Sequence, residues 1–130
     1  MIEYADIIVD LQAGDTGKGK VAHSLADQKG EYTHVIRYNG GGNAGHTIYH
    51  DGTKYVTHFI PVGVLYGIKS IIGPGCVVNP KKLEEEIKTL EKGGFKVREN
   101  LSLYVGPLPV FVVPIFVSFE SSSMYSSLIT

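Results

Sequence analysis

The sequence predicts an α/β fold. Three observations carry that expectation. Strand, glycine-rich loop, helix and strand follow one another at the start of the chain, Asp51-Gly52 separates two short extended runs, and Asn79-Pro80 opens a periodic helix. Ala5-Asp6-Ile7-Ile8-Val9-Asp10-Leu11 is a short apolar run, read as a buried strand. Gly14 to Lys20 is a glycine-rich loop, and Lys20 to Ala26 reads as a helix ending near Lys29-Gly30. Thr33 to Tyr38 is a second strand, followed by a second glycine loop from Asn39 to Gly45. Thr47 to His50 and Thr53 to His58 flank Asp51-Gly52, a strong hairpin signal because both central positions of the turn need positive φ. Ser70-Ile71-Ile72 and Cys76-Val77-Val78 are two short strand candidates on either side of Gly73-Pro74-Gly75. Asn79 is placed to cap, and Pro80 to begin, a helix through about Lys92. Leu83, Ile87 and Leu90 form its apolar stripe, and Gly93-Gly94 ends it. Leu101 to Val105 is a last strand.

Composition bounds what such a fold can do. The chain has 130 residues, with 43% apolar and 19% charged side chains, which is the profile of a globular domain able to bury a core. A net charge of −1 leaves no basic excess to draw nucleic acid or an anionic membrane by charge alone. A single cysteine, Cys76, rules out an internal disulfide framework and fits a reducing, cytoplasmic setting. Glu3 and Asp6 interrupt the start, so no secretory leader is expected, and no apolar run reaches the length of a membrane span. Charge is distributed unevenly: residues 1–104 carry 24 of the 25 charged side chains, and Glu120 is the other. The stretch from Val105 to Val117 has no polar side chain and three prolines, and six serines lie between Ser118 and Ser127. The chain is therefore read as a unit over residues 1–104 and an atypical apolar, serine-rich tail over 105–130.

Eight of the 16 glycines lie between Gly14 and Gly45, and they make two loops. Gly14-Asp15-Thr16-Gly17-Lys18-Gly19-Lys20 joins a strand to a helix, where backbone N–H groups and the helix dipole favour an anion and two lysines add charge. The standard P-loop pattern fails, because Gln12 and Gly19 stand at its glycine and Ser/Thr positions. Spacing alone leaves two readings open: a phosphate-binding loop, or a solvated turn with two surface lysines. The second loop contains a literal G-x-G-x-x-G at Gly40, Gly42 and Gly45, but a hairpin follows it rather than a helix, so a dinucleotide fingerprint is rejected. His46 and His50 have the spacing of a helical zinc pair, yet on a strand they would stand roughly 13 Å apart, and no Cys or His-Glu partner supports zinc. His46 differs from the other histidines in ending a glycine loop beside Asn43.

Taken together, GDTGKGK and Asn39-Gly40-Gly41-Gly42-Asn43-Ala44-Gly45-His46-Thr47 resemble the paired N-terminal motifs of the adenylosuccinate synthetase family. The resemblance continues through Thr57 to Val64, similar to that family's HLIPSG segment, and through Ser70 to Pro80, similar to its SIIGNGVVLSP stretch. It covers roughly residues 5–104. It implies the N-terminal part of a P-loop-NTPase-like mixed β-sheet with flanking helices and a β-hairpin. It implies a ligase of AMP biosynthesis that condenses IMP with L-aspartate at the expense of GTP, with Mg²⁺ as cofactor. A cytoplasmic homodimer is implied for the full-length family, with neither a nucleic acid nor a membrane partner.

The family's roles transfer by position. Asp15 matches the general base that removes the N1 proton of IMP, and also a Mg²⁺ ligand. His46 matches the acid that stabilises the leaving GDP oxygen. Gly14, Asp15, Thr16, Gly17, Lys18, Gly19 and Lys20, with Gly45, His46 and Thr47, match the GTP contacts. Asp15, Thr16, Gly17, Lys18, Asn43, Ala44, Gly45 and His46 match the IMP contacts, and the Gly45 carbonyl matches a second Mg²⁺ ligand. The family pattern GxQWGDEGKGK is departed from at Asp10, Leu11, Ala13 and Thr16, and Gly42 stands where histidine is common. A phage branch that uses a guanine deoxynucleotide typically lacks the base aspartate, so Asp15 argues for a hypoxanthine substrate. Family members run far longer than this chain, so it is expected to be a truncated or frame-shifted product with weak activity or none. Two other functions stand beside the first: a non-catalytic P-loop-like nucleotide-binding module, and a related ligase acting on another 6-oxopurine nucleotide.

Overall fold

The computed structural model describes residues 2–12, 16–28, 30–43, 45–104 and the strand 115–119. In chain order these form β1 (Ile2–Ile7), α1 (Lys18–Ala26), β2 (His34–Gly40), β3 (His46–His50) and β4 (Thr53–Thr57). A 3-10 helix (Val62–Tyr66), β5 (Lys69–Cys76), α2 (Pro80–Lys92), α3 (Val97–Asn100), β6 (Leu101–Leu103) and β7 (Ile115–Phe119) follow. Five strands make one mixed sheet in the order β1-β7-β2-β5-β6. β2, β5 and β6 run parallel, while β7 pairs antiparallel with both β1 and β2. β3 and β4 form a separate hairpin. This is the α/β architecture that the order of elements predicts, with the hairpin in its expected place.

Several local readings stand as expected. The hairpin turns at Asp51 (φ 48) and Gly52 (φ 75), both in the left-handed region that a two-residue turn of this kind demands. The Asn79 side chain accepts from the Lys82 N–H at 3.1 Å, and Pro80 occupies the first turn of α2. Leu83, Ile87 and Leu90 are buried, and they join Val35, Ile60, Ile72 and Val97 in the core. Burying a side chain of this size contributes roughly 1.5–3 kcal/mol each, so this stripe is what holds α2 to the sheet.

Other readings are corrected. The first strand is not buried: it runs from Ile2 to Ile7, every residue of it is exposed, and Val9 and Leu11 beyond it are exposed too. Its ladder is with β7, and among the described residues no strand pairs with its other edge. An apolar run shows what a strand could bury and does not supply the layer to cover it. α1 begins at Lys18, two residues early, because Gly17 at φ 84 turns the chain directly into the helix, and it ends at Ala26 rather than near Gly30. The expected break at Gly73-Pro74-Gly75 is absent: β5 runs through it from Lys69 to Cys76, and Val77 and Val78, expected in a second strand, lie beyond its end. A register shift opposite Arg37 and Asn39 absorbs the extra residues, and β6 pairs no farther than Ile72. Pro74 therefore sits beyond the β6 ladder, where its missing N–H costs no hydrogen bond. The last predicted strand shortens to Leu101–Leu103, preceded by the single-turn α3, and Val105 lies outside the described residues.

Candidate functional site

The site lies where the first glycine loop enters α1 and the second glycine loop enters β3. α1 packs against β3 and the 3-10 helix, which brings the two loops together. Gly19 of the first loop lies against His46 of the second. A Cβ built on Gly19 would stand 2.7 Å from His46 Nδ1, so any other residue here would push the imidazole away. Gly17 starts the helix in the left-handed conformation, and its carbonyl accepts from the N–H of Lys20 at 2.9 Å. Lys18 forms an ion pair with Asp10, and the Thr16 hydroxyl donates to the other oxygen of the same carboxylate. Gly14, Asp15 and Ala44, three of the residues expected in the site, lie outside the described residues.

The second loop is held by residues that motif reading passes over. The Arg37 guanidinium, on β2, donates to the carbonyls of His58 and Gly41 and, at 3.4 Å, to that of Asn39. Burial pushes this group below its ordinary range, with Cys76 and Glu86 opposing the shift. Glu86 on α2 is buried, and its carboxylate accepts from three successive backbone N–H groups, His58 at 3.0 Å, Phe59 at 3.2 Å and Ile60 at 2.9 Å. Arg37 and Glu86 thus grip the two ends of the His58 backbone, one through its carbonyl and one through its N–H. The Phe59 ring lies beneath Gly42, and the Asn43 side-chain oxygen lies over Gly41, 3.2 Å from where a Cβ would be. The His58 ring packs on Gly45, and its Nδ1 is buried without a hydrogen-bond partner among the described residues.

The Phe59 contact makes a direct prediction. A Cβ on Gly42 would overlap the ring, coming 2.9 Å from Cε1 and closer to Cζ, and Phe59 is itself buried. Gly42→Ala should destabilise the chain by about 1–3 kcal/mol, as overpacking does. Gly42→Ala combined with Phe59→Leu should recover part of that loss, because the smaller side chain vacates the space. Urea denaturation of the two single variants and the double variant measures the coupling, and strict additivity would sink the packing account.

The five histidines separate. His23 Nδ1 pairs with the Tyr66 hydroxyl at 2.6 Å, and His50 stacks edge-on against Tyr66 and Phe95. His34 is buried on β2, and His46 and His58 face the glycine loops. His46 and His50 occupy opposite ends of β3, and no group of three His, Cys, Asp or Glu residues among the described residues is placed to hold a metal ion. Burial, then the positive charge of Arg37, Lys18 and His58, holds His46 below its ordinary value. Burial, then Lys69, does the same to His34. Both groups sit lower in the folded chain than the unfolded value of 6.5, so the unfolded chain takes up protons first as pH falls. Stability should be full above about pH 6.5 and decline as pH drops through the folded values. The urea midpoint should fall between about pH 7.5 and pH 5, and His34→Asn should flatten that decline. A midpoint insensitive to pH over this window would contradict the assignment.

Between α1, β2 and the hairpin lies a cavity of about 110 Å³. Its lining is largely apolar, with Ile8, Ile36, Ile48 and Val62 among the lining residues, and Lys18, Arg37, Asn39 and His46 also border it. No helix of the described residues is long and apolar enough to cross a membrane.

Fold and site together define an α/β protein with two apposed glycine loops, one entering a helix and one entering a hairpin. The sequence model of the adenylosuccinate synthetase family matches residues 7–123. An adenylosuccinate synthetase of Wolinella succinogenes is 51% identical over 88 residues, which are 67% of this chain and 20% of that protein. One from Stutzerimonas stutzeri is 41% identical over 117 residues, 89% of this chain and 64% of that protein. The structure of fully ligated adenylosuccinate synthetase from Plasmodium falciparum superposes with a TM-score of 0.61 at 41% identity, covering 72% of this chain and 21% of that one. The chain belongs to the adenylosuccinate synthetase family. It spans about a fifth of the length of the first of these relatives.

Proposed function

We propose that this chain carries the phosphate-loop and purine-loop side of the active site of a GTP-dependent ligase that joins L-aspartate to IMP. The products are adenylosuccinate, GDP and phosphate. The observation that carries the reading is the apposition of Gly19 and His46, which draws the two family motifs into one site. Asp15 is the base that takes the N1 proton of IMP, making O6 nucleophilic towards the γ-phosphate of GTP. His46 stabilises the leaving GDP oxygen, and aspartate then displaces phosphate from C6. Thr16, Gly17, Lys18, Gly19 and Lys20, with Gly14, Gly45 and Thr47, border the GTP phosphates, where backbone N–H groups and lysine offset the developing charge. Asn43, Ala44 and Gly45 border IMP.

The residues available suit Mg²⁺. Gly45 is exposed, and its carbonyl would supply one oxygen donor, with the Asp15 carboxylate of the family motif as the other. Mg²⁺ typically keeps several waters and takes only one or two protein oxygens alongside substrate phosphates, so no all-protein cage is needed. Bound there, the ion supplies charge neutralisation across the phosphates. Residues 1–104 are read as the N-terminal part of the catalytic domain of a cytoplasmic enzyme, homodimeric at full length.

A chimera tests the proposal. Residues 1–104 of this chain would replace the matching segment of the Wolinella succinogenes relative. Phosphate release should then require GTP, IMP, aspartate and Mg²⁺ together. Release that is indifferent to IMP or aspartate, or nucleotide binding with no release, would overturn it.

A further inference from the structure

The first glycine loop departs from the family pattern at Asp10 and Thr16, and the structure brings these two departures into contact. The pattern has glycine where Asp10 stands and glutamate where Thr16 stands, so the carboxylate has moved from the loop to the end of the preceding strand region. One oxygen of Asp10 takes the Lys18 ammonium and the other takes the Thr16 hydroxyl. Asp10, Gln12, Thr16 and Lys18 line one open cleft, so both partners of the carboxylate are groups that a ligand entering that cleft would meet. The Asp10 side chain is 19% exposed and that of Lys18 36%, so the pair is neither fully solvated nor sealed away.

We propose that Asp10 is a specificity-determining residue that makes this loop discriminate against metal-free polyphosphate. Its carboxylate is an internal competitor for Lys18 and Thr16. A bare polyphosphate must displace it and then remain beside its negative charge, at a contact distance where like charges repel. A polyphosphate that brings a divalent cation carries less net negative charge and offers the carboxylate a hard cation to face. The inference rests on reading Gly14–Lys20 as a phosphate loop.

The test titrates inorganic tripolyphosphate into the full chain by calorimetry, once with EDTA and once with excess Mg²⁺. Asp10→Asn should bind metal-free tripolyphosphate about five- to tenfold tighter than the parent chain, the order expected on removing one charge beside an anion. Its gain for the Mg²⁺ complex should be smaller. Equal tightening of both forms overturns the proposal, since a merely loosened loop would do that. So does unchanged or weaker binding of the bare ligand, or no binding by either chain. Circular dichroism checks folding, and Asp10→Gly, the residue of the family pattern, repeats the test if Asp10→Asn misfolds. Lys18→Met separates the two levels of the inference. Unaltered binding in that variant overturns the phosphate-loop reading and the proposal with it, whereas weaker binding without a gain in Asp10→Asn overturns the proposal alone.

Discussion

Glu86→Leu is expected to cost the chain about 3–5 kcal/mol, a large part of the 5–15 kcal/mol that stabilises an ordinary domain. The carboxylate sits 8% exposed on α2 and receives the N–H groups of His58, Phe59 and Ile60. Removing it strands three consecutive donors at a site where Phe59 and Ile60 are themselves buried, and an unmet buried donor costs about 1–3 kcal/mol. Part of that is offset, because leucine removes the cost of burying a charge. Arg37 would still hold the carbonyl of the same His58 but would lose the attraction of the Glu86 charge. Glu86→Gln separates the causes. Its single amide oxygen can replace only one of the two carboxylate oxygens, keeping two of the three N–H groups and turning an NH2 towards the other, so it should cost about 1–3 kcal/mol and less than Glu86→Leu. Urea midpoints at fixed pH rank the variants. A Glu86→Leu chain as stable as the parent would mean that water, not the carboxylate, satisfies these donors.

Glu86 also shows where sequence reasoning ends. Helical spacing places it on the face of Leu83, Ile87 and Leu90, and a glutamate inside an apolar stripe is a visible breach of pattern. What it binds is set by a segment 26 to 28 residues away, which no periodicity reveals. Local signals were legible where the cause is local. Asp51-Gly52 dictates its own turn, and Asn79-Pro80 dictates its own cap. The edges of α1, the continuity of β5 through Pro74 and the exposure of β1 depend on neighbours in the sheet, so composition misled there. The same division runs through the site. Gly19, Asn43, Gly45 and His46 stand in recognisable motifs. Arg37 looks like one charge on a strand, and Phe59 like one core aromatic, until Gly41, Gly42 and His58 are brought against them. A sharper reading could have asked why Gly42 has no side chain, since a glycine with ordinary φ points to a close neighbour rather than to a turn.

In the chimera, Asp15→Asn and His46→Asn are each expected to lower kcat by about 10²–10⁴-fold, the usual worth of a positioned proton donor or acceptor. The two should differ in what else changes. Burial favours the neutral His46 ring in the free site, and the positive field of Arg37, Lys18 and His58 adds to it. An arriving phosphate reverses that field, so a proton on His46 is favoured only once the nucleotide is in place. The interaction is then made chiefly as charge develops on the leaving oxygen. Losing it should fall on kcat and on kcat/KM alike, with KM for GTP changing little. Gly19 packs against the ring and fixes its direction, so Gly19→Ala should imitate His46→Asn more weakly, by displacing the imidazole without removing it. Asp15→Asn removes both a base and a cation ligand in the proposed site, so its effect should deepen as Mg²⁺ is lowered, whereas that of His46→Asn should not. Steady-state phosphate release at two Mg²⁺ concentrations distinguishes them. Full activity in His46→Asn would remove the acid assignment, and full activity in Asp15→Asn would remove the base.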